Sequence, residues 1–170
     1  AMIRPTLQLL MERYPNVLLW LMGPVDPGDG WGDLSARIQQ FAWVPWRGLP
    51  SRLAQLDINL VPLVPNSPFN QAKSEIKFME AALVRVPSIA SNTSTFTFAI
   101  EHGRNGFIAA QHEEWEYFLD LLISNPTIRR SVGETAFQDV VTRYAPVERG
   151  QAMVQMLAEI GARLGKNRPR

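Results

Sequence analysis

The sequence predicts an α/β fold: a three-layer, Rossmann-like parallel sheet with helices on both faces and a helical annex toward the C terminus. Two observations predict it. Five short apolar runs, VLLWLM (17–22), IQQFAWV (38–44), INLVPL (58–63), PSIAS (87–91) and GFIAA (106–110), alternate with stretches of helical or turn character. Runs of that length, separated by helices, are the pattern of strands buried on both faces of a parallel sheet. After residue 111 the alternation stops and only helical patterns follow. The 170 residues read as one domain, with sheet and crossovers over 1–111, C-terminal helices over 112–170 and no clear linker.

Each element follows from local chemistry. Arg4 to Tyr14 places Leu7, Leu10, Met11 and Tyr14 on one stripe and reads as a helix. A loop rich in Gly, Pro and Asp, PVDPGDGWGD, follows the first run. LPSRLAQLD (49–57) is helical and ends in Asp57, a helix-end or turn residue. The prolines of INLVPL stop that strand, because Pro cannot donate to a ladder. Asn70 is the expected N-cap of the next helix, with Gln71, Ala72 and Lys73 in its first turn. NTSTFTFAIEHGRNG (92–106) is turn-rich, and Gly103 and Gly106 are expected to supply positive φ. HEEWEYFLDLLIS (112–124) has acids in its first turn, which suits the helix dipole. Asn125 as N-cap and Pro126 at the first helical position open a helix to about Tyr144. Pro146 opens another, to about Leu164.

Composition removes several function classes. With 17 basic and 16 acidic residues the net charge is +1, without the clustered basic excess of a nucleic-acid protein. The one basic run, GKNRPR (165–170), reads as a solvated end. The chain has no cysteine, so disulfides and thiolate metal sites are excluded and a reducing, cytoplasmic setting fits. VLLWLM is far too short to span a bilayer, and no segment has the order of a secretory signal. His102 and His112 lack a metal-like spacing. Neither a metal nor a cofactor is expected.

The chemistry concentrates in NSPFNQAKSEIKFMEAALVRVPSIAS (66–91). On a continuous helix from Asn70, Lys73, Ile76, Glu80 and Leu83 share one stripe, with Lys77 at its edge. A lysine in the first turn opposes the dipole, and lysines at 73 and 77 repel, each at about a few tenths of a kcal/mol. A bound phosphate would reverse both signs and meet the unpaired N–H groups of 71–73. The alternative is a solvated face on which Lys73, Glu75, Lys77 and Glu80 form surface ion pairs worth little. The stretch follows the carboxyl end of a strand, where open α/β sheets bind ligands.

In their order, YPNVLLWLMGP, IQQFAWVPWRGLPSRLAQLDINLVPL, NQAKSEIKFMEAALVRVPSIAS and IEHGRNGFIA resemble the C-terminal, donor-binding domain of retaining group 1 (GT-B) glycosyltransferases over about residues 3–145. The resemblance implies that Glu80 binds ribose hydroxyls, which suits a carboxylate facing two vicinal hydroxyls. The family's other helix glutamate falls at Ala72, so contact with the donor sugar passes to Lys73, Ser74 or Glu75. Asn70 and the following amides match the diphosphate cradle. Trp43, Val44 and Trp46 match the region facing the base; either Trp stacks on a base or belongs to the core. The family's first strand, glycine-arginine turn and lysine, which precede the first helix, have no counterpart here, and in the order 3-2-1-4-5-6 that strand is central.

The resemblance therefore implies the donor half of a hexosyltransferase. It would use a UDP-, GDP- or dTDP-sugar and a glycan or lipid-linked acceptor, in surface polysaccharide synthesis in the cytoplasm or at the inner membrane face. The expected partners are the nucleotide sugar and an N-terminal acceptor domain or partner chain, with a homodimer as one way to fill the missing strand. No nucleic acid and no membrane span are expected. The competing class is a truncated, non-catalytic interaction module. A dinucleotide-binding domain is disfavoured, because no GxGxxG follows a strand.

Overall fold

The computed structural model describes residues 2–64 and 67–166, so most of the basic tail lies outside the described residues. The chain begins with α1 (Arg4–Arg13), β1 (Leu19–Met22), a 3-10 turn (Gly32–Arg37) and β2 (Ile38–Phe41). Next come α2 (Leu49–Leu53), β3 (Asn59–Val61), α3 (Pro68–Gln71), α4 (Ile76–Ala82) and β4 (Ser88–Ser91). α5 (Ser94–Ala99) and β5 (Phe107–Ala109) complete the sheet region, and α6 (His112–Ser124), α7 (Pro126–Arg143) and α8 (Pro146–Lys166) follow.

All strand pairs are parallel, and they form two sheets. β1 pairs with β2, and β3-β4-β5 form the second sheet in that order. β1 and β3 are not bonded to each other. The break falls where the doubly wound order sets its first strand, the strand that the resemblance leaves without a counterpart here.

Alternation along the second sheet splits the core in two. On one face, Ile89, Phe107 and Ala109 pack with Ile3 and Leu10 of the α1 end, Trp115, Phe118 and Leu122 of α6, and Val132 of α7. On the other, Val61 and Ala90 pack with Phe78 and Ala82 of α4, Phe96 and Ala99 of α5, and Ala136 and Val140 of α7. α7 reaches both cores because Gly133 lets it cross the α4–β4 turn. A Cβ there would lie 2.1 Å from the Arg85 carbonyl oxygen. Arg85 itself holds φ +61, a region usually left to glycine.

Two of the C-terminal helices carry caps at their starts. The Asn125 side chain accepts from the Ile128 amide at 3.1 Å. α6 adds a capping box in which the Glu114 carboxylate accepts from the amides of Ala110 and Gln111. Those bonds hold the Glu114 carboxyl below the usual carboxylate range.

Two expectations change. The turn-rich piece after β4 contains a helix, α5, whose N-cap Thr93 accepts from the Phe96 amide. Gly103 has the expected positive φ of +79, but Gly106 does not. Gly106 is buried, and a Cβ there would stand 3.1 Å from the Ser88 oxygen and from an Ile100 methyl. Close approach, not a left-handed backbone, accounts for that glycine.

Candidate functional site

The carboxyl ends of the strands carry the loops from Gly23, Ala42, Pro62 and Asn92 onward. The helix expected from Asn70 is broken. Pro68–Gln71 forms one turn, and α4 starts at Ile76 with Glu75 as its N-cap residue. Asn70 therefore lies inside α3 and is not an N-cap; its side chain donates to the Val64 carbonyl at 3.0 Å. Lys73 and Ser74 lie in the break, so Lys73 does not share a helical stripe with Glu80.

Tertiary bonds hold this broken shape. The Gln71 side-chain oxygen accepts from the amide and hydroxyl of Ser94, both at 3.2 Å, tying the loop after β3 to the start of α5. The Tyr144 hydroxyl donates to Glu75 at 2.8 Å, tying the start of α4 to the end of α7. Burial, then the bond to Glu75, pushes the Tyr144 phenol up to about 12. The Lys73 ammonium lies 4.9 Å from the centre of the exposed Phe69 ring.

Glu80 is half-buried on α4, between Ile76 and Leu83, which are themselves exposed. The buried face of α4 is instead Phe78, Ala81 and Ala82. Among the described residues, no ion pair involves Lys73, Glu75, Lys77 or Glu80, so the network of surface ion pairs does not form. Glu80 likewise accepts no hydrogen bond among them, and its carboxylate retains its full accepting capacity.

Trp43 and Trp46 follow β2 and are 82% and 77% exposed, which corrects the core alternative. Val44 between them is half-buried. The Arg47 guanidinium lies 5.2 Å from the Trp46 ring centre. An open cavity of about 480 Å³ lies at the carboxyl ends of β1 and β2, lined by Gly23, Pro24, Val25, Asp26, Gln40, Phe41 and Ala42 but by neither tryptophan. A larger concavity of about 530 Å³ lies between α5 and α7, with Phe98, Arg104, Asp139, Arg143 and Tyr144 in its wall. The smaller is the better candidate, because ligands of open α/β sheets sit beyond the carboxyl ends of the strands. Neither cavity is lined by Lys73, Ser74, Glu75 or Glu80.

Sequence reading missed Phe69, Gln71 and Tyr144. Only Phe69 left a signal, as an aromatic in a polar turn. No cluster of His, Asp and Glu suited to a metal occurs among the described residues. No helix there is long and apolar enough to cross a membrane.

Parallel strands in two sheets with helices on both faces define a Rossmann-like α/β domain. Its particular fold is that of the C-terminal domain of group 1, GT-B glycosyltransferases. The C-terminal domain of the group 1 glycosyl transferase LpcC from Francisella tularensis matches at TM-score 0.65 and 18% identity, over 82% of this chain and 75% of that one. Anabaena HepE, solved in complex with UDP-glucose, matches at TM-score 0.69 and 16% identity, over 93% of this chain and 45% of that one. Sucrose-phosphate synthase from Thermosynechococcus elongatus matches at 0.70 and 18%, over 93% of this chain and 43% of that one. The chain thus spans less than half the length of these last two proteins. No family model and no curated protein sequence matches it.

Proposed function

We propose that this chain is the nucleotide-sugar-binding half of a glycosyltransferase. The observation that carries the reading is Glu80, a half-buried carboxylate with no partner among the described residues, on the helix that follows the β3 carboxyl end. Two vicinal ribose hydroxyls would satisfy it. The base would lie toward Trp43, Val44 and Trp46, over the cavity after β1 and β2. Lys73 and Ser74 would meet the diphosphate or the sugar. Asn70 and Glu75 hold the loop in place, through Val64 and Tyr144. The fold shared with HepE and sucrose-phosphate synthase supports this reading.

In the finer reading the transferred group is a hexose from a UDP-, GDP- or dTDP-sugar. The acceptor is a glycan or lipid-linked saccharide, in surface polysaccharide synthesis at the cytoplasmic side. Transfer needs an acceptor-binding domain from further polypeptide, and these residues alone are expected to bind weakly and turn over poorly. Ala72 and the split sheet favour one other reading, a non-catalytic interaction module.

Calorimetric titration with UDP, GDP and dTDP separates the two. Binding at millimolar ligand or tighter, weakened about tenfold or more by Glu80→Ala, supports the donor site; a charged hydrogen bond is worth about 1.5–3 kcal/mol. Absence of binding to all three nucleotides leaves the interaction module. Binding that Glu80→Ala leaves unchanged removes Glu80 from the site.

A further inference from the structure

We infer that Asp26 reads the base of the bound nucleotide and selects guanine, so that the donor is a GDP-sugar. The inference rests on the donor-site reading above and adds to it the identity of the base.

The cavity at the carboxyl ends of β1 and β2 has apolar walls, and its lining residues with polar side chains are Asp26 and Gln40. Apolar walls suit the faces of a planar ring, and a few fixed polar groups at its edge set orientation and specificity.

The loop that carries Asp26 is held in one shape. Residues 24–31 are rich in Gly and Pro and largely exposed, yet bonds reach them from several elements. Gln40 of β2 donates its side-chain amide to the Val25 carbonyl at 3.1 Å. Gln8 of α1 donates to the Gly30 carbonyl at 2.7 Å. Within the loop, the Trp31 indole donates to the Pro27 carbonyl at 3.1 Å, and Gly28, at φ +70, donates its amide to Asp26 Oδ1 at 2.8 Å. The Asp26 carboxylate is thus oriented before any ligand arrives, which lowers the cost of binding.

Its capacity is largely unused. Gly28 takes one lone pair of Oδ1, and among the described residues Asp26 joins no ion pair and accepts no other hydrogen bond. A carboxylate offers about four acceptor positions on two oxygens.

Base chemistry then decides which nucleotide fits. Guanine presents two neighbouring donors, N1–H and the N2 amine, which match the two oxygens of a carboxylate in a charge-assisted pair. Uracil and thymine present a single N–H between two carbonyls, so the same carboxylate would set one oxygen against a carbonyl oxygen. Gln40 has one amide hydrogen on Val25 and keeps a second for an acceptor such as guanine O6. A site built for particular donors rejects a ligand that lacks them more strongly than an apolar pocket can.

Calorimetric titration with GDP, inosine diphosphate, UDP and dTDP tests this on the unsubstituted chain, Asp26→Asn and Glu80→Ala. Asparagine keeps an acceptor for the Gly28 amide and replaces the other carboxylate oxygen with a donor. The unsubstituted chain should bind GDP about tenfold or more tighter than UDP, dTDP or inosine diphosphate, which lacks the N2 amine. Asp26→Asn should lower the ratio of GDP to UDP affinity by about tenfold or more, a ratio that a merely loosened loop would leave alone. The inference is overturned if GDP binds no tighter than UDP, or if Asp26→Asn weakens all four ligands equally. Tightest binding of UDP or dTDP, weakened by Glu80→Ala, would keep the donor site and remove its preference for guanine. Absence of binding to all four would remove both.

Discussion

β1 and β4 are both four-residue parallel strands, and the chain treats them differently. Every residue of β4 is buried, while every residue of β1 (Leu19, Trp20, Leu21, Met22) is only half-buried. The sequence of β1 is the more apolar of the two; β4 even carries Ser88 and Ser91, fully buried. Neighbours, not side chains, set the burial. β4 lies between β3 and β5 with a core on each face, whereas β1 has one partner strand. Hydrophobicity therefore marks where a strand forms, and topology decides how much of it leaves water. The buried serines fit the same rule, because each has a partner: Ser88 accepts from the Asn59 side chain at 2.9 Å, and Ser91 from the Leu63 amide at 2.7 Å.

The contrast is most sharply tested where the closed half is tightest. Gly133→Ala sets a Cβ 2.1 Å from the Arg85 oxygen and 2.9 Å from its carbonyl carbon, so α7 must lift off the turn that leads into β4. Both contacts are backbone and cannot swing aside. The expected loss is about 4 kcal/mol, at the top of the range for single substitutions, read by urea unfolding. Gly150→Ala in α8, where nothing lies within 4 Å, is the matched control. It should stabilise by about 0.5–1 kcal/mol.

Next comes a paired truncation. Ile89→Ala in β4 removes a side chain locked into the first core and should cost about 3 kcal/mol. Leu21→Ala in β1 should cost about 1 kcal/mol, because its site is already half-wet. Equal losses would show that β1 is as well buried in solution as β4, and the contrast would collapse.

The same division governs what was legible in advance. The five strands, α1, α6, α7 and α8 all follow from apolar period and end residues. Asn125 with Pro126 fixed the start of α7, because a side-chain cap is a local event. The site was less legible because its shape is not local. The run from Asn70 has helix-forming residues throughout, yet Gln71 bonds to Ser94 and Glu75 to Tyr144, 23 and 69 positions away, and the helix breaks between them. α5 was missed because Thr and Phe are poor helix formers; Thr93 at its N-cap and the burial of Phe96 and Ala99 outweigh propensity. Trp43 and Trp46 lie past the end of β2 and belong to neither core, so the strand pattern before them does not bury them.

Tyr144→Phe should have a middling effect, about 1 kcal/mol at neutral pH, by removing the donor to Glu75. Its pH dependence is the sharper measurement. The folded phenol is pushed up to about 12 from an ordinary 10.0. Between those values the unfolded chain has lost the proton and the folded chain keeps it, so stability falls as pH rises from 10 toward 12. Below pH 10 the contribution is fully present. The variant should lose that part of the alkaline decline, together with the highest-pH step in phenolate absorbance near 295 nm.

The smallest effect belongs to the clamp between α1 and α6. Arg13 donates to Asp120 at 2.7 Å and to Glu116 at 3.1 Å, and the Tyr14 hydroxyl donates to Asp120 at 2.9 Å. The bond from Arg13, then that from Tyr14, holds the Asp120 carboxyl below its ordinary value. A lowered carboxyl contributes stability above the unfolded pKa of about 4 and loses it as pH falls through the folded value. The Arg13 and Asp120 side chains are exposed, so solvent screening keeps the contribution small. Asp120→Asn should therefore shift the neutral-pH midpoint slightly and flatten the decline below pH 4, an effect that added salt should shrink. If the substitution instead cost as much as Ile89→Ala, α1 would owe its place to this clamp rather than to Leu10 and Ile3 in the core. The closed half would then depend on its rim, and the contrast with β1 would have to be drawn from electrostatics instead of strand neighbours.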